Sequence, residues 1–326
     1  MPAQSARRAV RDVNGSIRSG ARMTGVGDTD LAAGAFSAEP GSLYVVATPI
    51  GNLRDVTLRA LDILRSVDII VAEDTRVTTT LLGRYGIATR PRALHRHNEA
   101  REAGRICEEL AAGRSVALVS DAGTPAISDP GARVVRAAAA VGHRVVPIPG
   151  ASALAAAVCA AGLEAEALAF AGFLPAQAKA RRALLAAFAA LPAALVFYEA
   201  PHRVVATVAA LAQSLDGRRS LTIAREMTKT FETIARMPLD AGVAWLEADA
   251  NRTRGEFVLI VDAPLADAGS PTLSAQASDM LAALLDELPP ARAARVAAKL
   301  TRLPRAMLYE LALAQKPDAA AGDDEP

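Results

Sequence analysis

Apolar runs alternate with amphipathic stretches along most of the chain. "LYVVA" (Leu43–Ala47) is followed by the turn "TPIGNLRD", and then by Thr57–Ser66, where Leu58, Leu61 and Leu64 recur at helical spacing. "VDIIVAE" (Val67–Glu73) is a second continuous apolar run. Strand, helix and strand in that order make a βαβ unit. Strands apolar on both faces predict a parallel sheet covered on both sides. The pattern continues with a helix over Glu99–Ala112, the strand "VALVS", a helix over Ala132–Val141, the strand "HRVVPI" and a helix over Ala153–Ala161.

A second unit follows. "ALAFAGF" and "ALVFYE" read as strands, with a helix over Gln177–Ala190 between them. The next helix is predicted over Pro201–Gln213, with Pro201 at the first helical position, where its missing N–H costs nothing. "SLTIAREM" and "KTFETIARM" alternate in polarity and lie close together, which predicts antiparallel strands. "GEFVLIVD" closes a mixed sheet. "APLADAGSPTLSA" is a linker by its Pro, Gly and Ser content. Asp279–Leu288, Ala291–Leu300 and Pro304–Leu313 then read as three short helices. The expected division is a disordered tail (1–41), a first α/β domain (42–163), a second α/β domain (164–264), a linker (265–274), a basic helical segment (275–316) and a disordered tail (317–326). The N-terminal stretch lacks the apolar core of a secretory signal. It reads as a tail, or as a start placed too early, with Met23 the alternative.

Composition narrows the picture. Hydrophobic residues make up 52% of the 326, yet aromatics only 4%; alanine dominates, which suits helices packed closely on sheets. Cys107 and Cys159 lie far apart in an otherwise cysteine-free chain, which excludes a cysteine zinc site and a disulfide framework and fits a reducing cytoplasm. No metal is expected. No apolar run is long and uncharged enough to span a bilayer, so no membrane partner is expected. The net charge is +1, so any nucleic-acid contact must come from local patches. One such patch is Arg292, Arg295, Lys299, Arg302, Arg305 and Lys316, set against Glu310 alone. A basic helical segment of this kind can follow phosphates, or be an ordinary solvated face.

Three glycine-bearing loops follow apolar strands: "TPIGN" (Thr48–Asn52), "SDAGTPAISDPG" (Ser120–Gly131) and "PGASA" (Pro149–Ala153). Ligands of open α/β sheets bind beyond the carboxyl ends of the strands, so three such loops form a candidate rim. Asp121 is placed to bond a ribose hydroxyl or an amino group. In the blander reading the middle loop is a tight turn with Asp129 as cap of the next helix. Ser152 is a candidate cap as well. No G-x-G-x-x-G follows a strand, and no G-x-x-x-x-G-K-[ST] occurs, so the familiar phosphate cradles are missing.

"VVATPIGNLRDVTLRAL", "AEDTR", "LVSDAGTPAISDPG", "PIPGASAL", "FYEAPHR" and "GEFVLIV" occur in the order found in one family. The chain resembles the tetrapyrrole methylase-like, class III S-adenosylmethionine-dependent methyltransferases, and within them the branch that modifies bacterial small-subunit ribosomal RNA. The resemblance covers about Leu43–Leu313. It implies two α/β domains with S-adenosylmethionine in the cleft between them, a homodimer, and 2′-O-methylation of a cytidine in the decoding region of 16S rRNA on the small subunit. Relatives acting on tetrapyrroles carry a G-x-G-x-G-D-type first loop; "ATPIGNLRD" departs from it, which counts against a porphyrin substrate, although a small-molecule methyltransferase of the same fold stays an alternative.

Carried over by match, Pro49 and Gly51 would line one wall of the cofactor pocket. Ser120, Asp121, Ala122, Gly123, Thr124 and Pro125 would line another, with Ser128, Gly150, Ala151 and Ser152 nearby. Phe173 and Tyr198, the latter in "FYEA", would face them from the second domain. A ribose hydroxyl is a poor acid, so a base helps as its proton leaves. Glu73 and Asp74, at a strand end, are the leading candidates; His95, His97, Glu199, His202 and Glu226 are others. For each carboxylate the competing reading is an ion pair with a nearby arginine.

Overall fold

The computed structural model describes residues 36–95, 97–189, 191–264, 275–301 and 303–314. Arg302, Lys316, the linker over 265–274, the tail over 317–326 and the N-terminal stretch through residue 35 lie outside the described residues.

The first unit runs β1 (Ser42–Val46), α1 (Leu58–Ser66), β2 (Ile69–Ala72), α2 (Thr75–Arg84), β3 (Arg92–Ala93), α3 (Glu99–Ala111), β4 (Val116–Val119), α4 (Ala132–Ala140), β5 (Arg144–Ile148) and α5 (Ala153–Ala161). Its five strands are all parallel, in the order β3-β2-β4-β1-β5. Period-two alternation assigns the faces. Tyr44, Val46, Ile70, Ala72, Ala117 and Val119 pack on one side against α1 residues such as Ile63 and Leu64. Leu43, Ile69, Val71, Val116 and Leu118 pack on the other against Ile106, Leu110 and Val134. Burying both faces is why these strands read as unbroken apolar runs. Thr57 caps α1, its side chain accepting from Ala60 N, and Ser152 caps α5 as expected.

Strand order has a consequence for the loops. β1 lies between β4 and β5, so the loops after these three strands leave the sheet side by side. The chain passes from β1 to one side of the sheet and returns to β5 on the other, which makes this the point where an open sheet opens a crevice.

The second unit runs β6 (Leu168–Phe173), α6 (Ala178–Ala189), β7 (Ala194–Glu199), α7 (Val204–Ser214), β8 (Ser220–Arg225), β9 (Thr233–Pro238), α8 (Gly242–Glu247) and β10 (Phe257–Val261). The order is β6-β7-β10-β8-β9, parallel only between β6 and β7. Leu195, Phe197, Leu221, Ile223, Leu259 and Val261 bury one face under α6, α7 and α8. The other face, Ala194, Val196, Ala224, Val258 and Ile260, receives α5 through Ala157 and Ala161, together with Ile50 from the loop after β1. Alanine on the buried side of α5 lets the helix, which leads into β6, lie close on the second sheet. This shared core joins the two units. Helices α9 (Ala275–Glu287), α10 (Pro290–Thr301) and α11 (Arg305–Ala314) pack around Leu281, Ala293, Ala294, Ala297, Leu308 and Ala312.

The structure departs from the sequence reading at two caps. Asp129 does not cap α4; the cap position is Gly131, which has no side chain to offer. The buried carboxylate of Glu99, reaching across from α3, accepts from Gly131 N and Arg133 N at 2.9 Å each and does that work instead. Pro201 does not open α7. The helix begins at Val204, because Pro201–Arg203 form a turn in which Arg203 N donates to Ala200 O, while the Arg203 guanidinium is drawn back to Glu199 and to Leu174 O. Three short elements, α2, β3 and α8, were not anticipated; α2 is rich in threonine, a weak helix former, and its start is fixed by the Asp74 cap.

Candidate functional site

The three adjacent loops are laced together. Thr48 and Gly123 exchange backbone hydrogen bonds at 2.9 Å, and Thr48 Oγ1 donates to Ser120 O. Thr124 Oγ1 donates to Ala151 O, tying the second loop to the third. The Asp74 N–H donates to Asp121 Oδ1 at 2.8 Å, so the end of β2 is held against the second loop. From the other unit, Tyr198 Oη accepts from Leu154 N at 3.1 Å, which fixes the start of α5 to the end of β7. Burial raises the Tyr198 pKa above the usual phenol range and keeps it a neutral hydroxyl.

Between these loops and the ends of β6, β7, β8 and β10 lies a cavity of about 450 Å³. Of the expected cofactor residues, Asp121, Ala122, Gly123, Thr124, Ser128 and Ser152 line it from the first unit. Phe173 and Tyr198 line it from the second. Pro49, Gly51, Ser120, Pro125 and Gly150 do not. Their positions explain this: Ser120 and Pro125 are buried behind the loop, and Ile50, rather than its neighbours, turns into the cavity. Gly51 faces a different surface. A Cβ there would meet Lys229 Cγ at 2.6 Å and Thr228 Oγ1 at 2.8 Å, so this glycine allows the first loop to press against the loop after β8.

Glu73 lines the cavity, and Asp74 does not. Asp74 caps α2 through Arg76 N and pairs with the Arg76 guanidinium at 2.7 Å, which holds its pKa near 2. Glu199 lines the cavity too, fully buried, and accepts from Ala200 N, Thr207 Oγ1 and Arg203 Nε. Glu226 sits beside the cavity. Burial opposes its ionisation, but Lys229 and the Glu256 N–H outweigh burial and hold it below the usual carboxylate range. Sequence reasoning missed Ile127, Met227 and Glu256. Met227 follows β8 and Glu256 precedes β10, and only the antiparallel pairing of β10 with β7 and β8 brings both to the mouth of the crevice.

The charge of the cavity wall is one-sided. Glu73, Asp121, Asp129, Glu199 and Glu256 line it, and no lysine, arginine or histidine is among the lining residues. Arg203 is ion-paired with Glu199 and Lys229 with Glu256, which offsets part of that charge; the acidic lining still suits a cation better than a phosphate.

Residues 42–241 match the family of tetrapyrrole (corrin/porphyrin) methylases, and residues 271–316 match the RsmI C-terminal HTH domain. The "Ribosomal RNA small subunit methyltransferase I" of Pseudomonas aeruginosa is 48% identical over 273 residues, 84% of this chain and 97% of that one. The proteins of the same name from Vibrio cholerae and Escherichia coli O157:H7 are each 46% identical, over 83% and 85% of this chain and 94% and 96% of theirs. The chain belongs to the ribosomal RNA small subunit methyltransferase I family.

Solved structures show the same fold at low identity. The methyltransferase CobJ superposes with a TM-score of 0.52 at 21% identity, covering 72% of this chain and 97% of its own. The cobalamin biosynthetic enzyme cobalt precorrin-4 methyltransferase does so with 0.51 at 15%, covering 68% and 95%. In this family member the helix-turn-helix match falls on α9, α10 and α11. Arg292, Arg295 and Lys299 stand three and four residues apart on α10, exposed on the side opposite Ala293, Ala294 and Ala297, and Arg305 is exposed at the start of α11. No helix among the described residues is long and apolar enough to cross a membrane.

Proposed function

We propose that the protein transfers the methyl group of S-adenosylmethionine to the ribose 2′-oxygen of a cytidine in 16S rRNA, acting on the small ribosomal subunit. The observation that carries this reading is the acidic cavity, free of cationic side chains, at the carboxyl ends of adjacent strands in a chain of this family. The residues present suit the cofactor. A sulfonium is a cation, and the wall carries five carboxylates, two of them ion-paired with Arg203 and Lys229, while the backbone of the 120–125 loop, stapled by Thr48 and Thr124, offers a rigid edge for a nucleoside. When bound, the cofactor supplies an electrophilic methyl carbon whose leaving group is a neutral thioether.

The protein's part is positioning and proton removal. Asp121, whose Oδ1 accepts from Asp74 N, would hold the nucleoside end through its remaining acceptor capacity. Ser152 and Tyr198 fix the opposite side. Glu73 accepts the 2′-hydroxyl proton as the ribose oxygen attacks in line. Asp74 serves as the strut that keeps Glu73 and Asp121 in register. Arg292, Arg295, Lys299 and Arg305 supply phosphate contacts away from the acidic cleft, so the RNA backbone is attracted to the helical segment and only a sugar and base enter the cavity. The reading includes a homodimer and a cytoplasmic protein.

The test incubates the protein with tritiated S-adenosylmethionine and small subunits lacking the modification, with naked 16S RNA and a porphyrinogen as parallel acceptors. Label recovered as 2′-O-methylcytidine from the subunits is expected. Label only in the porphyrinogen overturns the reading. Light scattering tests the dimer.

A further inference from the structure

Two large apolar side chains stand exposed at the mouth of the acidic cavity, one from each unit. Phe173, at the end of β6, is 53% exposed, and Ile127, in the loop after β4, is 43% exposed. Each is put there by a backbone irregularity. The register of β6 against β7 shifts between Phe170 and Gly172, and Gly172 has φ +64°, a left-handed turn that re-aims the next side chain. Ala126, immediately before Ile127, also has positive φ at 64°, which is strained for a residue with a Cβ. The two irregular segments adjoin: a Cβ placed on Gly172 would lie 3.6 Å from Ser128 Oγ.

The Phe173 ring is braced from behind. It stands edge-to-face with Tyr198, centroids 5.8 Å apart, and Tyr198 is packed the same way on Phe170 at 4.9 Å. In a chain with only seven phenylalanines and four tyrosines, three of them gather at this corner. Both side chains line the one cavity, and the braced, exposed ring of Phe173 presents a flat apolar face to whatever enters it. The charged residues in the rest of the lining are all acidic, which disfavours an occupant that carries phosphate into the cavity.

From these observations we propose that Phe173 and Ile127 form a clamp for the nucleobase of the nucleotide being methylated. The inference rests on the function proposed above. A ribose oxygen inside a folded RNA cannot reach a crevice until its nucleotide is drawn out of the stack, and an unstacked base needs a new face to lie on. Phe173 supplies that face and Ile127 closes on the other. The resemblance placed Phe173 beside the cofactor; its exposure at the mouth suits the second reactant. The clamp acts by positioning: it holds the ribose between itself and Glu73, and takes no proton.

The experiment compares Phe173→Ala, Phe173→Trp and Ile127→Ala with the unaltered protein on small subunits, with S-adenosylmethionine binding followed by calorimetry. For Phe173→Ala, kcat/KM for the subunit is expected to fall roughly ten- to a hundred-fold, the usual range for one base–aromatic stack. Cofactor Kd stays within about twofold, and Phe173→Trp recovers most of the lost rate. Ile127→Ala falls less, and combining it with Phe173→Ala gives a smaller loss than the product of the two. The clamp is overturned if cofactor Kd rises as far as kcat/KM falls, if Phe173→Trp is no better than Phe173→Ala, or if the alanine variant changes the protein's mass in solution. Failure of the unaltered protein to label ribose overturns the parent reading, and that outcome is seen before any variant is made.

Discussion

Replacing Glu99 with alanine isolates the contact that sets the far end of the cleft loop. Glu99 is only 8% exposed, and its Oε1 accepts from both Gly131 N and Arg133 N at 2.9 Å. Loss of a helix cap costs about 0.5–2 kcal/mol. Loss of a partly buried carboxylate at a helix N-terminus adds up to about 2 kcal/mol. These effects overlap, so about 2–3 kcal/mol is expected for the pair. For a unit of this size that corresponds to a melting temperature lower by roughly 5–10 °C. Glu99→Gln keeps an acceptor oxygen but not the charge, and should lose about 1 kcal/mol. Thermal melting by circular dichroism gives the stability, and amide exchange at Gly131 and Arg133 gives the location. An alanine variant that melts within about 1 °C of the parent, with both amides still protected, would refute the capping argument.

Other perturbations reach the site directly. Asp121→Ala should raise the S-adenosylmethionine Kd by about tenfold or more, while Asp121→Asn, which still accepts from Asp74 N, should lose less; calorimetry separates them. Gly51→Leu drives a side chain into Thr228 and Lys229, and is expected to weaken cofactor binding by displacing the neighbouring Met227 from the cavity wall; equal affinity in the variant would show that the wall moves freely. Asp74 has its folded pKa depressed to about 2 from the ordinary 3.8 by Arg76, so its contribution to stability is present above about pH 4 and is lost as the pH falls through 2. The melting difference between the parent and Asp74→Asn should close over that window; a gap independent of pH would contradict the ion pair. Reversing Arg292, Arg295 or Lys299 to glutamate should lower subunit kcat/KM and flatten its dependence on log salt by about one unit for each lost phosphate contact.

Much of the molecule was legible in the chain because the signals are local. Continuous apolar runs marked most strands and 3.6-residue spacing most helices, and Ser152 announced the start of the helix it caps. The glycine-bearing loops were identified by their place after apolar runs. Adjacent carboxylates, by contrast, look alike in sequence. Glu73 turns into the cavity and Asp74 turns to Arg76, one residue apart, because the end of β2 leads directly into the first turn of α2.

What the sequence by itself determined is the set of elements and the loops that join them: each is fixed by side chains within a turn or a strand of one another. The tertiary structure decided which loops meet. Strand order set β1 between β4 and β5; Thr48 then found Ser120 across 72 residues, and Leu154 found Tyr198 across 44. Burial of α5 on a sheet outside its own unit, the capping of α4 by Glu99, and the acidic wall drawn from both units follow from packing of apolar surface at long range, where periodicity carries no information about the partner.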